Sequence, residues 1–134
     1  MLDLGHWKLR EGVSIVDNPY GFVYEITNTH TNKKYIGKKQ ILTKRKRPPL
    51  KGKKNKRIEI VETDWKSYTS SSNELNKDIQ DLGITKFKFE IIRFCENKSQ
   101  LAYFEAKEQF DKDALLREDY YNGIINLRVG KVKI

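Results

Sequence analysis

From Lys38 to Arg57 the chain carries eleven lysines and arginines and no acidic residue. A segment of that kind cannot enter a hydrophobic core, because unpaired buried charge is strongly disfavoured. The core must therefore come from the sequence on either side. Pro48, Pro49 and Gly52 interrupt the run, so it is expected to form a mobile loop, or a short helix followed by a loop. Like charges at that density repel one another unless a polyanion relieves them. The surplus extends to the whole chain, whose net charge is +9 over 134 residues. Nucleic acid and an anionic membrane surface are the partner classes this favours.

The flanks supply the folding signals. Gly21 to Thr27 is rich in aromatic and β-branched residues and reads as a strand. Asn28 to Lys33 is a polar turn and Lys34 to Gly37 a second short strand, which together predict a β-hairpin. After the basic run, Ile58 to Val61 is strand-like. Ser70 to Asn73 has the composition of a helix N-cap. Leu75, Ile79 and Leu82 then recur at helical spacing, and Gly83 is the expected stop. Phe87, Phe89 and Ile91 alternate with Lys88 and Glu90, so Lys86 to Phe94 reads as a half-buried strand. Lys98 to Leu116 returns to a helical pattern, with Leu101, Phe104 and Phe110 as expected core anchors. Tyr120 to Leu127 suggests a turn and a short final strand. No repeat or linker divides the chain. Residues 1–134 are expected to form a single α+β domain, a small antiparallel three-stranded sheet flanked by helices.

Several chemistries are excluded. Cys95 is the sole cysteine, which rules out an internal disulfide and a cysteine-rich zinc site. His6 and His30 lack paired spacing, so any metal must sit on oxygen ligands. The N-terminus lacks a secretory signal pattern, and no run nears the roughly 18 apolar residues a membrane span needs. A cytoplasmic protein without a membrane role is expected.

The hairpin carries the most specific pattern. Phe22-Val23-Tyr24 is followed, eleven residues from tyrosine to tyrosine, by Tyr35-Ile36-Gly37. This resembles the paired motif of the GIY-YIG nucleases, with Phe-Val in place of Gly-Ile in the first half. Arg45, Glu105 and Asn122 stand in the order and at the spacing of the family's arginine, metal-binding glutamate and asparagine, and Lys38 directly follows the second half. The run Asp64 to Ser72 after a basic insertion resembles the free-standing phage homing endonucleases of the Seg type. The resemblance spans about residues 20 to 127. It implies DNA, in double-stranded form, as substrate, and Mg²⁺ as cofactor with Mn²⁺ as an alternative. It also implies a site of Tyr24, Tyr35, Lys38, Arg45, Glu105 and Asn122, with Glu105 on the metal and one hairpin tyrosine as general base. Tyr24 is the first choice for base and Tyr35 for its partner, an order the sequence leaves open. One active site normally cuts one strand, so double-strand cutting would call for a dimer or two encounters.

The residues allow this chemistry. Mg²⁺ keeps several waters and takes one or two carboxylates, so one glutamate can suffice. A guanidinium fork suits a phosphate. Lys39, Lys44, Arg47, Lys51, Lys53, Lys54, Lys56 and Arg57 would track the DNA backbone, and Ser70 and Ser71 would donate to a phosphate at a helix N-terminus. Each feature also has a plainer reading. Tyrosines pack in hairpins, Arg45 is one cation in a run where Arg47 could replace it, and Glu108 lies one helical turn beyond Glu105. Asn122-Gly123 can be a simple turn, and the serines a cap alone. The rival to a nuclease is a catalytically inactive, basic nucleic-acid-binding module.

Overall fold

The computed structural model describes residues 3–125 and 130–133. The strands are β1 (Lys8–Leu9), β2 (Gly21–Asn28), β3 (Lys34–Gln40), β4 (Leu42–Arg47), β5 (Arg57–Glu62) and β6 (Phe87–Cys95), and the helices α1 (Asn73–Leu82) and α2 (Lys98–Asp111). The architecture is α+β, as expected. The sheet differs in detail: it has four strands in the order β1-β6-β2-β3, and β4 and β5 form a separate two-stranded ribbon.

The expected hairpin is β2 and β3, which pair antiparallel with Ile26 opposite Tyr35 and Tyr24 opposite Gly37. Asn32 takes a left-handed conformation in the turn, and the Asn28 carboxamide accepts the His30 and Thr31 N–H groups. β6 pairs antiparallel on the other side of β2. A bulge there lets the register jump from Val23–Arg93 to Tyr24–Ile91. Bulges of this kind twist a strand and re-aim its side chains, and this one sits beside Tyr24.

The fourth strand is two residues long and parallel to β6, too short to show a period in sequence. Trp7, next to it, is 2% exposed, and its indole N–H donates to the Trp65 carbonyl at 2.6 Å. Arg10 follows and bridges two carboxylates, at 2.7 Å from Glu25 and 3.0 Å from Glu90. Glu25 and Glu90 face each other across the strands, a pairing that would be unfavourable without the cation. Burial works to raise the Glu90 carboxyl, but Arg10 and Lys88 outweigh it and hold it below its usual value. That stabilisation is present above the ordinary glutamate range and is lost as pH falls through the depressed folded value. Arg10→Ala is therefore expected to destabilise the protein by about 1–3 kcal/mol at pH 7. Urea midpoints for the pair of proteins should converge as pH falls below the ordinary glutamate range.

The two faces of the sheet have different covers. Phe22, Tyr24 and Ile26 lie with Trp7, Trp65, Phe89 and Leu75 of α1 in one cluster. Val23 and Ile36 lie with Cys95, Leu101 of α2 and Ala114 in the other. The Ser72 hydroxyl caps α1 by accepting from Leu75 N–H, and Gly83 ends the helix at φ 91°. Leu75 is fully buried, whereas Leu82 is on the exposed rim. α2 stops at Asp111 rather than at Leu116; Asp113 turns left-handed and a 3-10 turn follows over Ala114–Leu116. Of the expected anchors, Leu101 is buried and Phe104 half-buried, but Phe110 is 59% exposed because it lies on the solvent side of the last turn. In the tail, Tyr120 makes an isolated bridge to Lys34; Asn126 and Leu127, the end of the expected final strand, lie outside the described residues.

The basic run is the largest departure from expectation. Residues 42–47 form β4, in register with β5 so that Arg45 faces Glu59. Both Arg45 and Arg47 bind the Glu59 carboxylate. Their one counter-charge, Glu59, sits just past the run. Only residues 48–56 connect the two strands.

Candidate active site

β3 is an edge strand, and its outer rim is closed by the backbone of the tail at Lys34 and by side chains at Ile36. Lys34 N–H donates to the Asp119 carbonyl and its carbonyl accepts from Tyr121 N–H. The Asn122 carboxamide accepts from Ile36 N–H at 3.0 Å and donates to the Ile36 carbonyl at 2.7 Å. Gln109 of α2 donates to that same carbonyl at 3.0 Å. One turn earlier on α2, the Glu105 carboxylate lies beside Lys38, 3.8 Å from its Nζ. Asn122 is thus fixed on the motif strand Tyr35-Ile36-Gly37, and Glu105 stands next to it.

Gly37 explains how the tyrosines fit. A Cβ on it would lie 2.5 Å from the Tyr24 hydroxyl and 3.0 Å from the Tyr35 ring. The missing side chain is the slot the Tyr24 phenol occupies. Tyr24 is 1% exposed, with the rings of Trp7 at 4.9 Å, Tyr35 at 6.1 Å and Tyr68 at 6.3 Å. Tyr35 is half-buried, and its hydroxyl lies 3.4 Å from the Ser71 hydroxyl at the start of α1. Tyr68 comes from the segment between the ribbon and α1. Lys39 stands 4.1 Å above the Tyr68 ring and 2.9 Å from Asp64.

The electrostatics mark a site that disfavours its own ionised groups. Burial raises the Tyr24 phenol well above its ordinary value, and Tyr35, Tyr68 and Glu105 add to the rise. Burial also raises Tyr35, against the Ser71 hydrogen bond. The Glu105 carboxyl is pushed up by burial and only partly drawn back by Lys38, whose Nζ is 3.8 Å away. Three phenols and a carboxylate all titrate unfavourably here, a pattern that added cations would relieve and one that functional sites often show.

A match to a family model settles the family. The model for the GIY-YIG domain of the putative endonuclease SegE matches residues 7–125. The chain belongs to the Seg-type GIY-YIG nucleases. No curated protein and no solved structure matches it. The family implies a nuclease and DNA as its substrate.

Of the sequence-predicted residues, the GIY-YIG hairpin and α2 bring together Tyr24, Tyr35, Lys38 and Glu105. Asn122 is anchored at the same strand through the Ile36 backbone. Arg45 lies on the ribbon, 52% exposed at its side chain and 3.5 Å from Glu59. None of its described bonds reaches Glu105 or the tyrosines. Ser70 is buried, and its hydroxyl accepts from Ser72 N–H. Ser71 is the serine that meets a tyrosine. Lys44, Lys51, Lys53, Lys54, Lys56 and Arg57 are exposed on the ribbon and its loop. Sequence reasoning missed Tyr68 as a site residue. Its signal was a tyrosine among polar residues just ahead of the α1 cap.

The GIY-YIG family generally uses a divalent metal. Among the described residues, no three His, Cys, Asp or Glu side chains gather to hold one. The donor set still fits Mg²⁺, an ion that retains most of its waters and needs only one or two carboxylates. Glu105 is the carboxylate that would hold it, 17% exposed at its side chain and with an ionised form that burial disfavours. No helix among the described residues is long and apolar enough to cross a membrane.

Proposed function

We propose that this protein is a divalent-metal-dependent endonuclease that hydrolyses phosphodiester bonds in double-stranded DNA, of the kind that phage homing nucleases represent. The observation that carries the reading is the convergence of Tyr24, Tyr35, Tyr68 and Glu105 around the side-chain-free slot at Gly37. Glu105 would hold Mg²⁺, or Mn²⁺ in its place, and the ion would supply positive charge for the phosphate in the transition state. Tyr24 and Tyr35 divide the base's work: one takes a proton from the attacking water and the other orients it. Both phenols are raised, so the tyrosinate needs cations beside it, and Lys38 beside Glu105 and Lys39 over the Tyr68 ring are at hand. These lysines also suit the charge-stabilising role first expected of Arg45, which instead pairs with Glu59 on the ribbon. Asn122 acts through the backbone of Ile36, holding the motif strand in place.

Incubation of supercoiled plasmid with Mg²⁺ should yield nicked and then linear DNA, and EDTA should stop it. Salt-sensitive binding with no cutting under any divalent ion would instead identify a DNA-binding module.

A further inference from the structure

The β4–β5 ribbon has two unlike faces. Side chains alternate along each strand, and the register puts Arg45, Arg47 and Arg57 on the face of Glu59, whose carboxylate pairs with the first two. On the opposite face Lys44 is paired in register with Ile60, and Lys46 with Ile58. Both lysines are exposed, and Ile58 and Ile60 are 67% and 65% exposed. No carboxylate shares that face between Lys44 and Ile60. At its base Glu62 is turned aside, accepting the Trp65 indole N–H at 2.7 Å. Two bare isoleucines flanked by free lysines are unfavourable in water and match a surface that is anionic at its rims and apolar at points within.

The geometry points to this face as the element that reads DNA sequence, by lying in the major groove of the duplex. A two-stranded ribbon fits that groove, which is about 12 Å wide, since its strands are about 4.8 Å apart. Lysine ammonium groups can donate to guanine O6 and N7, and an apolar side chain can contact the thymine methyl. The loop cations, Lys51, Lys53, Lys54 and Lys56, then meet phosphates and carry no sequence information. The assignment rests on DNA being the substrate but adds what the active site lacks, a means of choosing where to cut.

The test is retention of a random-sequence duplex pool on the full chain, followed by sequencing, with cutting of the same pool measured in parallel. Wild type should enrich a motif. Ile58→Ser/Ile60→Ser should lower that enrichment by about tenfold, as expected for two lost methyl contacts. A pool with uracil in place of thymine should do the same to unaltered protein, a result that misfolding cannot mimic. A Lys51→Gln/Lys53→Gln/Lys54→Gln variant should weaken all sequences alike and flatten the salt dependence. No retention at low salt, no motif, or a motif indifferent to both the isoleucines and the thymine methyls would overturn the assignment. Cutting with unbiased ends would overturn it while leaving the nuclease reading intact. A ribbon-dependent motif without cutting would do the reverse.

Discussion

Glu105→Gln is expected to lower the cleavage rate by at least about 10³-fold while leaving DNA affinity within about twofold. Glutamine keeps the size of the side chain and its place beside Lys38. What it removes is the charge, and with it the means to hold an ion that would offset developing charge on the phosphate. A loss of about 4 kcal/mol of transition-state stabilisation corresponds to that factor. Single-turnover cleavage and a filter-binding isotherm on the same duplex separate the two effects. The folded protein should be no less stable for the change. Burial raises this carboxyl in the native state, so its ionised form opposes folding above the unfolded value, and an uncharged replacement removes that opposition. At limiting metal the wild-type rate should also fall with acid through an inflection above the ordinary glutamate value, and saturating metal should move that inflection down, because a cation favours the ionised carboxylate. Full activity in Glu105→Gln would remove the residue from the metal role and leave Glu108, half-buried one turn away, as the carboxylate to test.

Gly37→Ala is the second large effect. The added methyl would sit 2.5 Å from the Tyr24 hydroxyl and 2.6 Å from the ring carbon that bears it. That ring cannot swing away, since Trp7, Tyr35 and Tyr68 surround it. Overpacking of this kind costs about 1–3 kcal/mol, and displacement of a reacting group by about 1 Å can cost 10²-fold in rate. The prediction is a lower urea midpoint together with a rate reduced about 10²-fold. Adding Tyr24→Phe removes one of the clashing atoms. The double variant should therefore recover part of the stability and none of the activity. Additive losses of stability in that cycle would show that the two residues do not meet.

Much of this arrangement is legible in sequence because the signals are local. β2 and β3 declare themselves through β-branched and aromatic residues around a polar turn, β6 through strict alternation, and α1 through Ser72 and Gly83 at its ends. Tyr24, Tyr35 and Glu105 could be singled out because motif spacing is retained. The rest depends on partners distant in the chain. β1 is two residues held by Trp7 on the Trp65 carbonyl, 58 positions away. The ribbon is hidden because alternation within a basic run carries no apolar contrast, and its neutralising Glu59 lies outside the run. Phe110 has the right residue type at the wrong angle on its helix. Tyr68 belongs to the site only because the segment before α1 folds back over the tyrosine pair.

The seal along β3 bears on how copies of this protein behave toward one another. A naked strand rim invites a second chain to add on, the first step toward swapped dimers and fibrils. Here Lys34 is bonded by the Asp119 and Tyr121 backbone, Ile36 by the Asn122 and Gln109 side chains, and Glu105 lies beside Lys38. Concentrated protein should therefore resist edge-to-edge aggregation through its central sheet. The same arrangement makes that protection depend on the tail staying docked, so proteolytic clipping near Asp119 would leave a chain prone to precipitate even where its core remained folded.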